Sequence, residues 1–147
     1  MVLHTDRSSC AAWLTESTEG HLAIANPDLA PYGAAARSYL RDQKLWQRFS
    51  GRLVMGENIA QATHLVFSGN ARAGLLANAL LSQRQPPAGS CQWPLPVSAY
   101  PPVSQAMVTL NRAKTNPVTG AFRGFLRSDS AQQIITEHGY LTEQGLD

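Results

Sequence analysis

Between Ile24 and Gly33 the chain passes from an apolar run through a turn into a helix, and this stretch constrains the fold more than any other. His21 to Ala25 reads as a strand, and Asn26-Pro27-Asp28 breaks it. Pro31 suits a first helical turn, where its missing N–H would lack an intrahelical acceptor in any case. Past Gly33, Ala34-Ala35-Ala36 opens a segment of high helix propensity. The first turn of a helix carries unpaired N–H groups and a partial positive charge. This unit therefore offers a seat for an anion, with Tyr32 and Gly33 at the helix start.

The same pattern repeats downstream. Ala36, Tyr39 and Leu40 form a helical stripe with Arg37 and Arg41 turned away, and Leu45, Trp46 and Phe49 repeat the spacing up to Ser50-Gly51. Residues 52–56 read as the next strand. Asn58 is a good helix N-cap, and Gln61 stands three residues on, as in a capping box. Ile59, Ala62, Thr63, Val66 and Phe67 then make one buried stripe, stopped by Ser68-Gly69-Asn70. Ala73 to Leu81 is a continuous apolar run short enough for a buried strand. Strand, helix, strand, helix, strand predicts an α/β sheet with parallel members. In such sheets ligands bind at the carboxyl ends of the strands, so Tyr32 and Ile59 are expected to lie near each other where two helix starts converge.

The flanks are less regular. Val2-Leu3 reads as the end of a strand, Thr5 to Ser9 as a polar turn, and Cys10 to Leu14 as a helical turn packing Trp13 inward. Residues 85–102 are rich in Pro and read as a connection or edge segment. Residues 104–111 alternate as a strand would, with Ala106, Val108 and Leu110 on one side. Asn116-Pro117 starts a helix striped by Val118, Ala121, Phe122, Phe125 and Leu126. Ser128 or Asp129 caps a last helix with Ala131, Ile134, Ile135 and His138 on one face and Gly139 as its stop.

Composition excludes several classes. At 147 residues the chain fits one domain with a real core, and 44% apolar content argues for a globular protein. A net charge of +2 without a Lys/Arg run gives no nucleic-acid signature. No apolar stretch reaches the roughly 18 residues of a membrane span. The first residues show neither a charged n-region nor an apolar h-region, so no export signal is visible. His4, His21, His64 and His138 lack metal-ligand spacing, so no metal site is expected. Cys10 and Cys91 read as free, partly buried thiols. A hydrolase using either thiol has no flanking motif behind it. Glu57 at a helix start is more simply a dipole partner than a general base.

One ordered set of segments carries a family resemblance. It comprises Asn26-Pro27, Ala30-Pro31-Tyr32-Gly33, Leu45-Trp46, Gly56-Glu57-Asn58-Ile59-Ala60-Gln61-Ala62 and Ser68-Gly69-Asn70-Ala71. It continues through Tyr100 to Gln105, Asn116-Pro117, Ala121-Phe122, Phe125-Leu126, Ile134-Ile135 and His138-Gly139-Tyr140. In this order, from about Leu22 to Tyr140, the chain resembles the molybdate-binding proteins of bacterial ABC transporters.

The resemblance implies a single lobe of a type II periplasmic-binding-protein-like fold, with a mixed, mostly parallel sheet flanked by helices. It implies a second-lobe α/β domain over residues 1–103, and a segment 104–147 that in the family returns toward the first lobe. It implies that the backbone N–H groups of Tyr32 and Ile59, supported by Asn58 and Gly33, hold molybdate or tungstate without catalysis or cofactor. Ala77 stands where some members place a tyrosine hydroxyl. The first lobe, with its serine- or threonine-type ligands, has no counterpart here. A hydrogen bond to a charged group contributes roughly 1.5–3 kcal/mol, so losing two or three costs on the order of 3–9 kcal/mol of anion affinity. Binding by the monomer is expected to be weak, and docking to a transporter permease to require a first lobe. The family's periplasmic location is implied as well. The apolar faces of the last two helices favour a homodimer, by exchange of segments. The competing reading is an oligomeric interaction or regulatory module that has lost anion transport.

Overall fold

The computed structural model describes residues 1–5, 9–85 and 87–142. The chain divides into two compact units, Met1–Val103 and Ser104–Asp147.

The first unit is built on a five-stranded sheet. Its strands are β1 (Val2–Thr5), β2 (Leu22–Ala25), β3 (Leu53–Gly56), β4 (Ala73–Leu76) and β5 (Cys91–Pro94), in the spatial order β3-β2-β4-β1-β5. β2 pairs in parallel with both β3 and β4, whereas β1 runs antiparallel to β4 and β5. The sheet is therefore mixed, with one reversed strand. The helices are α1 (Cys10–Glu16), α2 (Pro31–Asp42), α3 (Trp46–Phe49), α4 (Ile59–Phe67) and the single turn α5 (Asn78–Leu81).

The period-2 geometry of β2 explains how both sheet faces are covered. Leu22 and Ile24 join a core with Trp13, Leu14, Tyr39, Leu40 and Phe49, drawn from α1, α2 and α3. Ala23 and Ala25 join a second core with Ala62, Val66, Leu76 and Leu81, drawn from α4, β4 and α5. All four β2 residues are buried, as expected for a central parallel strand. Trp13 stacks on Phe49 at 5.8 Å between ring centroids, which fastens α1 to α3. Arg48 and Arg52 donate to the Ser17 carbonyl just past α1, and Arg48 also reaches the Thr15 carbonyl. Guanidinium groups here complement the negative end of that helix.

Three expectations from the sequence need correction. Cys10 and Cys91 are not free thiols: they form a disulfide, with Cα atoms 5.8 Å apart, joining the start of α1 to the start of β5. Eighty-one residues of sequence separate them, so spacing alone carries no sign that the fold closes on itself there. The run Ala73 to Leu81 is not one strand. β4 ends at Leu76, and Asn78–Leu81 turns into α5. This run holds no β-branched residue, and its Ala and Leu residues favour helix once pairing ends. Residues 104–110 form no strand. Met107, Val108 and Leu110 are all exposed, and an alternating segment with no neighbour to pair with has nowhere to place its N–H and C=O groups. The turn expected over Thr5 to Ser9 falls on residues 6–8, outside the described residues.

In the second unit, α6 (Pro117–Phe125) is capped by Asn116, whose Oδ1 accepts from the Val118 N–H at 2.9 Å. α7 (Asp129–Glu137) is capped by Ser128 rather than Asp129. Val118, Phe122, Phe125 and Ile134 are exposed, and Ala131 is buried. The two rings stack at 6.5 Å between centroids.

Candidate functional site

The site begins with the parallel pairing of β2 and β3, which sets Ala25 opposite Gly56. Both strands end there, and each leads through a turn into a helix. The two turns are tied directly, because the Asn26 N–H donates to the Gly56 carbonyl at 2.7 Å. β4, parallel to β2, brings its own end at Leu76 and the buried Ala77 to the same edge of the sheet.

Asn26 organises the first turn. Its carbonyl accepts from Leu29 at 3.2 Å and Ala30 at 2.9 Å, and its Oδ1 accepts from the Asp28 N–H at 2.9 Å. α2 then starts with Ala30 as its N-cap, and no side chain caps it. An alanine there is roughly 1 kcal/mol poorer than Ser, Asn or Asp. Tyr32 is the second residue of this helix and Gly33 the third. A Cβ on Gly33 would lie 2.2 Å from the Ala25 carbonyl oxygen and 2.6 Å from Asn26, so only glycine lets α2 start this close to the end of β2.

The second turn is tighter still. Gly56 ends β3, and a Cβ there would meet the Ala62 nitrogen at 2.5 Å. Asn58 caps α4, its Oδ1 accepting from the Gln61 N–H at 2.9 Å and its carbonyl from the Ala62 N–H at 3.1 Å. Gln61 reaches back, but its Oε1 accepts from the Glu57 N–H at 2.6 Å rather than from Asn58. The box anticipated from the sequence is thus shifted one residue outward. Among the described residues, the Ile59 and Ala60 N–H groups at the head of α4 have no acceptor.

Both site residues expected from the sequence are half-buried, and both pack against the same core cluster of Ala23, Ala25, Ala62 and Leu76. Neither turn contains Lys or Arg. The positive potential available is that of two helix ends. Burial first, and the Tyr32 phenol second, hold the Tyr100 phenol above the usual tyrosine range. Among the described residues no cluster of His, Cys, Asp and Glu could hold a metal ion, and no helix is long and apolar enough to cross a membrane. The open cleft beside α1, lined by Trp13, Glu16 and Ser17 among others, includes neither turn. Sequence reasoning passed over Asn26 and Gly56 as organisers of this edge. Their signal was available: each closes a strand just before a helix start.

Comparison with known proteins gives this edge a context. A profile of bacterial extracellular solute-binding proteins matches residues 5–141. A molybdate-binding protein of Azotobacter vinelandii is 36% identical over 129 residues, covering 88% of this chain and 51% of that protein. Its counterpart in Rhodobacter capsulatus is 33% identical over 123 residues, covering 84% of this chain and 48% of that protein. The chain therefore spans about half the length of these curated relatives. The solved structure of the periplasmic molybdate-binding protein of Azotobacter vinelandii superposes with a TM-score of 0.82 at 26% identity, over 97% of this chain and 64% of that one. The fold, with its mixed sheet between helices and its paired strand ends, is that of these binding proteins, and the chain belongs to the family of bacterial extracellular solute-binding proteins.

Proposed function

We propose that this chain supplies half of a binding cage for a tetrahedral oxyanion of the molybdate or tungstate class, and that it binds without catalysis. In this reading the backbone N–H groups of Tyr32 and Ile59 donate to the anion, and Asn58 and Gly33 hold those two turns in place. The observation that carries it is the Asn26 to Gly56 hydrogen bond, which ties together two helix starts free of Lys and Arg. Helix ends stabilise a dianion through fixed dipoles, and a rigid set of neutral donors selects by size and shape. The relatives' names support molybdate as the first anion to test.

Half a cage binds weakly. A further lobe completes the donor set, from a longer chain or a second copy, and docking to a transporter requires that completed form. The exposed stripe of Val118, Phe122 and Phe125, with Ile134 on the neighbouring helix, supports a homo-oligomer. The Cys10–Cys91 disulfide suits an oxidising compartment such as the periplasm.

The test is a calorimetric titration with molybdate, tungstate, sulfate and phosphate, with the mass in solution measured on the same sample. Weak binding that favours molybdate and tungstate over sulfate and phosphate supports the half-cage. Equal response to all four, or to none at millimolar anion, overturns it.

A further inference from the structure

Residues 104–110 have the alternation of a strand, yet among the described residues they belong to no sheet. The run Ser104-Gln105-Ala106-Met107-Val108-Thr109-Leu110 holds no Pro, no Gly and no charged side chain. Val108 is 81% exposed, and Met107 and Leu110 are exposed beside it. Among the described residues, no backbone hydrogen bond joins Ala106, Met107, Val108 or Thr109 to another segment. An exposed, uncharged stretch of this kind is a template for a further strand.

The segment matches itself. In an antiparallel pair centred on Met107, Ala106 of one copy stands opposite Val108 of the other, and Gln105 stands opposite Thr109. One side of the ribbon is then apolar, through Ala106, Val108 and Leu110, and the other is polar around the two Met107 side chains. Charge selects this direction. The first cations past the segment are Arg112 and Lys114. A parallel pair in register sets each against its own counterpart, whereas the antiparallel pair parts the two Arg112 residues by roughly 30 Å, well beyond the screening length of physiological salt. A bare two-stranded ribbon is marginal in water, so its apolar side needs cover. Val118, Phe122, Phe125 and Ile134 are exposed and can supply it. With Val108 and Leu110 they offer on the order of 600 Å² per copy, close to the roughly 800 Å² per partner of a standard interface once the ribbon backbone is added.

We propose that residues 104–110 pair antiparallel with the same residues of a second copy, and that the α6 stripes of the two copies cover the ribbon. This rests on the homo-oligomer reading above and names the segment through which it forms.

Met107 gives the test, because only this register sets a residue opposite itself. The full chain, Met107→Lys, Met107→Glu and an equimolar mixture of the two variants are compared by sedimentation equilibrium, with thermal melting alongside. The wild type is expected to be a dimer. Each variant is expected to melt as the wild type does, since Met107 is exposed, and to dimerise about fivefold more weakly, through like charges directly opposite. The mixture is expected to regain dimer as a pair of Lys against Glu. A monomeric wild type overturns this pairing and the homo-oligomer reading together. A dimer that both variants leave intact overturns the pairing and leaves the homo-oligomer standing. Variants that weaken the dimer singly without recovery in the mixture also overturn the pairing, since the loss then does not arise across the two-fold axis.

Discussion

The carbonyl oxygen of Ala25 closes the space beside Gly33: a Cβ on residue 33 would sit 2.2 Å from it. The last residue of β2 and the third residue of α2 therefore meet backbone to backbone. That contact fixes how the first turn of α2 stands over the sheet edge.

Gly33→Ala should force α2 away from β2. Overpacking of this kind costs about 1–3 kcal/mol. Urea unfolding is expected to show a lower midpoint with an unchanged slope, and molybdate affinity should fall as Tyr32 moves. Wild-type stability in this variant would mean that the turn adjusts freely.

Asn58→Ala removes the acceptor of the Gln61 N–H. The expected loss is about 1 kcal/mol, the ordinary cost of an N-cap. Asn58→Ser should recover most of it. Hydrogen exchange at Gln61 reports the same change locally, with faster exchange in the alanine variant.

Reducing the Cys10–Cys91 bond should lower stability. A cross-link over a separation of 81 residues limits the unfolded chain strongly, and loss of such a bond typically costs about 2–5 kcal/mol. Comparing urea midpoints with and without a thiol reductant checks this. The double variant Cys10→Ser with Cys91→Ser should match the reduced protein.

Alkaline stability depends on Tyr39. Burial first, then the nearby Asp42 carboxylate, raises its phenol pKa above 10.0 in the folded chain. The folded state thus resists ionisation that the unfolded chain accepts. The Tyr39 contribution is fully present below about pH 10 and is lost as pH rises through the folded value. Tyr39→Phe should flatten that decline, measured as unfolding free energy between pH 8 and 11.

Much of this architecture was legible because local signals and tertiary placement agree. Pro31, Asn58, Asn116 and Ser128 each stand at a helix start for reasons of backbone chemistry, and the apolar stripes behind them show which face packs. The failures have a common cause. Ala73 to Leu81 is apolar apart from Asn78, and so short an apolar run does not by itself distinguish a strand from a strand followed by a helical turn. Residues 104–110 alternate as a strand does, yet strand formation needs a partner that no local pattern supplies. The Cys10–Cys91 bridge depends on β5 pairing with β1, a contact between distant parts of the chain. At the candidate site, Tyr32, Gly33, Ile59 and Asn58 could be named from the two helix starts. The tie from Asn26 to Gly56 could not, since it depends on the register of β2 against β3.

Phe122→Ser together with Phe125→Ser should convert any oligomer to monomer. Sedimentation equilibrium measures this. An unchanged mass in the double variant would remove these rings from the interface.

In the proposed site two helix starts act on one anion, and the backbone amides of Tyr32 and Ile59 report this during a molybdate titration of the isotopically labelled chain. Both amides are expected to shift together along one binding curve, with sulfate producing a smaller response. Movement of only one of them, or of neither while amides elsewhere respond, would contradict it.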